Sequence, residues 1–120
     1  MIKRLLMYVF LSSMLGLISG CGKNKADFVL VNNSNEKIIS GSVSLLKQSI
    51  KVGSIDAGGI VNGGFIIETD SHYHVEVQFE SGRKIGKDVG YVTRGFDFND
   101  EIIVSSNDVS IQSKKIEGSD

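Results

Sequence analysis

From Tyr73 to Glu80 the chain reads Tyr-His-Val-Glu-Val-Gln-Phe-Glu, apolar and polar residues in strict alternation. Successive side chains of a strand point to opposite faces, so this run buries one face and wets the other when it is extended. Tyr73, Val75, Val77 and Phe79 point to a core, while His72, His74, Glu76, Gln78 and Glu80 point to solvent. No segment after Cys21 reads as helix, so this strand needs other strands to cover its apolar face.

The partners are legible, though less cleanly. Phe28 to Val31 is a short apolar run ahead of Asn32-Asn33-Ser34-Asn35, whose side chains bond nearby backbone and favour a turn. Val43 and Leu45 alternate with Ser42 and Ser44, and Ile50 to Ile55 runs up to the turn residues Asp56-Ala57-Gly58-Gly59. Val61 to Thr69 follows; Ser81-Gly82 turns into Lys84 to Val89; Ile102 to Val104 and Val109 to Ile111 close the series. About eight short strands between turn signals predict an all-β, antiparallel sandwich of seven or eight strands over residues 28–112, followed by a polar C-terminal tail, 113–120. Proline is absent, so Gly and Asn carry the turn geometry. Asn62-Gly63 is a hairpin signal, but the turn at 56–59 leaves too few residues for a strand between them. A bulge or a close backbone approach within one strand is expected there instead.

The stretches Gly53-Ser54-Ile55-Asp56-Ala57-Gly58, Gly64-Phe65, Tyr73-His74-Val75-Glu76-Val77 and Ser81-Gly82 together resemble the central strands of immunoglobulin-like bacterial sandwich modules. There a hydrophobic-x-small-Gly turn precedes a strand, and a Tyr-x-Val-x-Val strand follows. The resemblance implies an immunoglobulin-like fold. It does not extend to antibody domains, whose Cys-Trp-Cys core is impossible in a chain with one Cys and no Trp.

Ahead of the strands lie Lys3 and Arg4, an apolar run from Leu5 to Ile18, and the small residues Ser19 and Gly20. This is the layout of an export signal. The apolar run is shorter than the roughly 20 residues of a spanning helix, and it carries Ser12 and Ser13 near its middle. Leu17-Ile18-Ser19-Gly20-Cys21 resembles the lipobox of bacterial lipoproteins. The resemblance implies that a signal peptidase recognises Ile18, Ser19 and Gly20, that residues 1–20 are removed, and that Cys21 takes a diacylglyceryl group as the new first residue. An ordinary secretory signal and a retained anchor are the competing readings; the position of the single cysteine favours the lipoprotein. Acyl chains contribute about 0.8 kcal/mol per buried methylene, so two or more make a stable anchor. Residues 21–27 then form the lipidated cysteine and a short tether, whose six residues from Gly22 to Asp27 span roughly 20 Å when extended. Gly22 is not the Asp that resembles an inner-membrane retention signal, which points to the outer membrane, facing the periplasm, in a Gram-negative host.

One cysteine permits no internal disulfide, so packing must hold the domain. The chain has 13 basic and 14 acidic residues, and two of the basic ones, Lys3 and Arg4, belong to the export signal. The remainder is acidic with its charges interspersed, which argues against a nucleic-acid partner. His72 and His74 lie about 7 Å apart on one exposed face with Glu76 next in line, which makes them weak candidates for a metal site. A structural zinc takes four ligands and a catalytic one three plus water; with no third His the favoured reading is a solvated polar face, and no metal or other cofactor is implied. Asp97-Phe98-Asn99-Asp100-Glu101 clusters oxygens but lacks the glycine and distal Glu of a calcium loop, and reads as a solvated turn. No Gly-x-Ser-x-Gly elbow occurs, and the only thiol is the expected lipidation site, so an enzyme is not expected.

Gly90 to Phe98 holds the remaining candidates. Tyr91, Arg94 and Phe96, between glycines, have the composition of a partner-binding loop. The competing and favoured reading is a core strand with Phe96 and Phe98 on one face. The expectation for the whole chain is a lipid-anchored, non-catalytic binding or structural module, held to membrane lipid through Cys21 and meeting an envelope protein. The alternative is an inhibitor or immunity-type lipoprotein that blocks an incoming enzyme or phage component, with Arg83-Lys84 as its basic tip. A metal-dependent envelope enzyme comes third.

Overall fold

The computed structural model describes residues 23–116, which form eight strands and, among those residues, no helix. They are β1 (Asn24–Asn32), β2 (Ile38–Leu45), β3 (Gln48–Val52), β4 (Ile60–Ile67), β5 (Ser71–Phe79), β6 (Lys84–Val92), β7 (Asp97–Val104) and β8 (Val109–Ile116). Ile18, Ser19, Gly20 and Cys21 lie outside the described residues. One sheet has the order β4-β1-β7-β8 and the other β3-β2-β5-β6. In the immunoglobulin arrangement the first, second, fourth and fifth strands share a sheet. Here β1 and β4 lie in one sheet and β2 and β5 in the other, so the resemblance is carried by the layout of two sheets and not by the strand order.

The inward faces follow the alternation. Phe28, Leu30, Ile102 and Val104 from one sheet meet Leu45, Tyr73, Val75 and Phe79 from the other, all buried. Each such side chain contributes about 1.5–3 kcal/mol when removed from water. The Asn62-Gly63-Gly64 segment lies inside β4 in unbroken register with β1, from Asn24 opposite Ile67 to Val31 opposite Ile60. A close approach, not a bulge, explains the glycine: a Cβ on Gly63 would stand 2.5 Å from Phe28 Cζ.

Four expectations are corrected. The sandwich is not wholly antiparallel, because β1 pairs with β7 in parallel. Local alternation carries no record of a pairing made by crossing between sheets. β1 begins at Asn24 instead of Phe28, since the Asn24 side chain and the Lys25 N–H both donate to Asp97 Oδ1 on β7, at 3.1 and 3.0 Å. β8 continues to Ile116, pairing with β7 over its whole length through backbone bonds that are indifferent to side-chain polarity. Asp97 to Glu101 is strand and not a solvated turn, with Asp100 facing inward and 3% exposed.

Odd-numbered strands run one way and even-numbered strands the other, so the connections gather at two ends. Lys23, the 46–47 turn, the 68–70 loop and the 93–96 turn share the N-terminal end. The 33–37, 53–59, 80–83 and 105–108 connections share the far end.

Candidate functional site

At the N-terminal end the start of β1 is fastened to the turn that follows β6. The Gly95 N–H donates to Asn24 Oδ1 at 3.1 Å, and the Arg94 N–H donates to Asp70 Oδ1 at 2.9 Å. Asp97, holding Lys25 and Asn24, has its carboxyl drawn below the usual range by those two hydrogen bonds. Gly90 adopts φ 71°, and the pairing with β5 slips there by one residue. That bulge re-aims the strand and leaves Tyr91 57% exposed. Arg94 is also exposed, whereas Phe96 is half-buried against the core and Phe98 is buried. The Gly90 to Phe98 segment is thus the end of β6, a turn and the start of β7. Neither a free loop nor one continuous strand describes it; the structure brings Tyr91 and Arg94 to the surface and turns Phe96 toward the core. Leu46, 49% exposed and held at φ 54°, marks the neighbouring turn at the same end. A shallow depression of about 760 Å³ between Lys23, Asn24, Asp70 and Arg94 completes it.

His72 and His74 lie on the solvent face of β5, as the alternation predicts, and Asp88 of β6 stands directly across from His74. His74 Nδ1 is 2.6 Å from Asp88 Oδ1, and its Nε2 is 2.8 Å from Glu76 Oε2. His72 Nε2 is 3.4 Å from Asp88 Oδ2. The bonds to Asp88 and then Glu76 raise the His74 pKa, and the bond from His74 lowers that of Asp88. With a carboxylate against each nitrogen, neither side of the imidazole is left open toward a metal or a substrate. Among the described residues no group of three His, Cys, Asp or Glu side chains is arranged to hold a metal ion. Beside this cluster runs an open groove of about 440 Å³ of mixed character, lined by Ser40, Ser42, Lys51, Val77, Lys84 and Ile85 among others. Sequence reasoning missed Asp88 because cross-strand partners depend on register, which alternation within one strand leaves open.

The buried carboxylate of Asp100 was missed for a different reason: an acidic cluster reads as surface. Its Oδ2 accepts a 2.5 Å hydrogen bond from the Tyr73 hydroxyl, from one sheet to the other. Tyr73 packs among Phe28 and Phe65, with ring centroids 6.1 and 6.2 Å away. Burial first, and then Asp100, push the Tyr73 hydroxyl far above its usual range, so it stays a donor. Asp100 Oδ1 has no partner among the described residues.

At the far end Arg83 is engaged on three sides. Its guanidinium lies over the Phe79 ring at 4.7 Å, pairs with Glu36 at 3.1 Å and donates to the Ser106 carbonyl. Buried Asn32 ties the same end together, donating to the carbonyls of Glu36 and Ile55, each at 2.9 Å. Both residues of the expected basic tip are exposed, and Arg83 is in addition held by Glu36 and Ser106.

No family model and no curated protein matches the chain. Among solved structures it is similar to an NMR structure of a protein from Eubacterium rectale, with 14% identity and a TM-score of 0.52. The match covers 82% of this chain and 93% of that one. At this identity the likeness shows the fold alone: two β-sheets, eight strands, mostly antiparallel.

Proposed function

We propose that the chain is a lipid-anchored envelope lipoprotein whose sandwich serves as a non-catalytic binding or structural module at a membrane surface. The observation that carries this reading is the tight fastening of Asn24 and Lys25 to Asp97 and Gly95. With Cys21 acylated, only Gly22 and Lys23 separate the anchor from a strand of the rigid domain. Three peptide steps span about 10 Å at full extension. The 46–47, 68–70 and 93–96 connections then face the headgroups, and the far end faces away, toward an envelope protein partner. In a Gram-negative host the surface is the outer membrane, on its periplasmic side. The polar clusters support a binding role over a catalytic one, since both nitrogens of His74 are occupied and Asp100 is enclosed.

Two measurements test the proposal. Intact mass of protein from the membrane fraction is expected to show loss of residues 1–20 and a diacylglyceryl mass on Cys21; an unmodified Cys21 overturns it. Fluorophores placed at Lys47 and at Ser81 in the bilayer-bound protein test the orientation. Spin-labelled lipid is expected to quench the first and spare the second; equal quenching refutes a membrane-facing N-terminal end.

A further inference from the structure

β4 is an outer strand of its sheet. The Asn32 N–H bonds to the Gly59 carbonyl, and the antiparallel register then turns the backbone groups of Val61, Gly63 and Phe65 toward β1. Those of Ile60, Asn62, Gly64 and Ile66 point the other way. Ile66 is satisfied by a side chain acting as a strand: the Gln48 amide donates to its carbonyl at 2.7 Å and accepts from its N–H at 3.0 Å. Ile60, Asn62 and Gly64 are exposed, and nothing among the described residues pairs with this edge beyond Gln48.

Edge strands are ordinarily blunted by charge, proline or bulges. Two of the other edges follow that rule: β3 carries Lys51, and β6 carries Lys84, Lys87 and Asp88. β4, with the sequence Ile-Val-Asn-Gly-Gly-Phe-Ile-Ile, has no charge, no proline and no break in register. Ile60, at its start, is 60% exposed.

We propose that the free edge of β4 at Ile60, Asn62 and Gly64 is a strand-addition site, taking an extended segment of another protein that carries a basic side chain opposite Gly64. Main-chain hydrogen bonds supply the affinity in such pairing, and alternate side chains supply the selection. The basic residue is selected by Asp27. Its carboxylate leans over Gly64, so that a Cβ there would stand 2.5 Å from Oδ1, and no cation pairs with it among the described residues. Directly opposed Cβ positions on adjacent strands are about 5 Å apart, within reach of Lys or Arg. On the inward side the added strand meets half-buried Ile50 and Val61, which favours apolar residues between the basic ones. A second copy of this chain fits less well. The antiparallel register that uses all three positions on both copies sets Ile60 of one opposite Gly64 of the other, and Asp27 then faces an apolar side chain.

Hydrogen–deuterium exchange on the full-length chain in detergent micelles tests the proposal, with two synthetic probes: a short peptide of alternating valine and lysine, and the same peptide with glutamate in place of lysine. At ten times its dissociation constant the lysine peptide is expected to slow exchange of the Ile60, Asn62 and Gly64 amides roughly tenfold. The glutamate peptide is expected to leave them unchanged, and Asp27→Asn to weaken the lysine peptide about two- to fivefold. Unchanged exchange with both peptides, or equal slowing by both, overturns the proposal. Slowing of the same amides without peptide, rising with protein concentration, assigns the edge to a second copy and also overturns it.

Discussion

A carboxylate inside a β-sandwich persists only where a donor meets it, because an unbonded buried polar group costs far more than a bonded one contributes. Tyr73 is that donor for Asp100. Tyr73→Phe is expected to destabilise the protein by about 1–3 kcal/mol, since it strips Asp100 of its hydrogen bond while keeping the ring packing. Adding Asp100→Leu to Tyr73→Phe should recover most of that loss, because the pair is then replaced by apolar groups. Urea midpoints at unchanged m-value read both. On the surface, His74 makes a pH-dependent contribution whose sign follows from two shifts. Its folded pKa is raised above the ordinary 6.5, so its stabilisation is complete below that pH and is lost as pH rises through the folded value. Asp88 is lowered below the ordinary 3.8, so its share is present above that pH and is lost as pH falls through the folded value. The pair contributes fully between those two pH values. Urea midpoints measured across about pH 5 to 9 should therefore fall through the His74 step, and His74→Ala should remove that step. Because these groups are exposed, added salt should shrink it.

Within the elements, the glycines of the sheets separate into those that fill no space and those that hold space open. Gly63 of β4 holds it open for the Phe28 ring, with Phe28 Cζ and Cε1 2.5 and 2.7 Å from a would-be Cβ. Gly63→Ala is expected to cost about 1–3 kcal/mol by overpacking. Gly86 of β6 meets only Glu76 Cγ at 3.6 Å, so Gly86→Ala should stay within about 0.5 kcal/mol of wild type. Thermal melts of both variants make the comparison, and equal losses would mean that strand geometry and not the Phe28 contact sets the cost. A close approach at Asn62-Gly63-Gly64 was legible in the sequence because two turns cannot share so few residues. Which side chain made the approach was not, since Phe28 is 35 residues away and only the β1–β4 register brings it there. The 91–98 segment divides in the same way. Its aromatic spacing predicted Phe98 in the core, but the slip at Gly90 that exposes Tyr91 arises from pairing with β5.

Across the whole molecule the two ends differ in how they are tied. The far end is knotted by Arg83 to Glu36 of one connection and Ser106 of another. Arg83→Ala is expected to speed amide exchange in the 33–37 and 105–108 connections together while leaving 46–47 and 93–96 unchanged; faster exchange in only one connection would refute a shared knot. Local pattern alone determined that residues 23–116 are all-β, that they form about eight strands, and that Tyr73, Val75, Val77 and Phe79 face inward. Those properties follow from the two-residue period of an extended backbone, which is written in neighbouring residues. The export signal and the Cys21 anchor proposed above also rest on a linear segment alone. Tertiary structure decided the rest: the parallel β1–β7 pair, the burial of Asp100, the carboxylates on both sides of His74, and the uncharged free edge of β4. Each depends on which strands become neighbours and in what register, and those relations join residues tens of positions apart that share no local pattern.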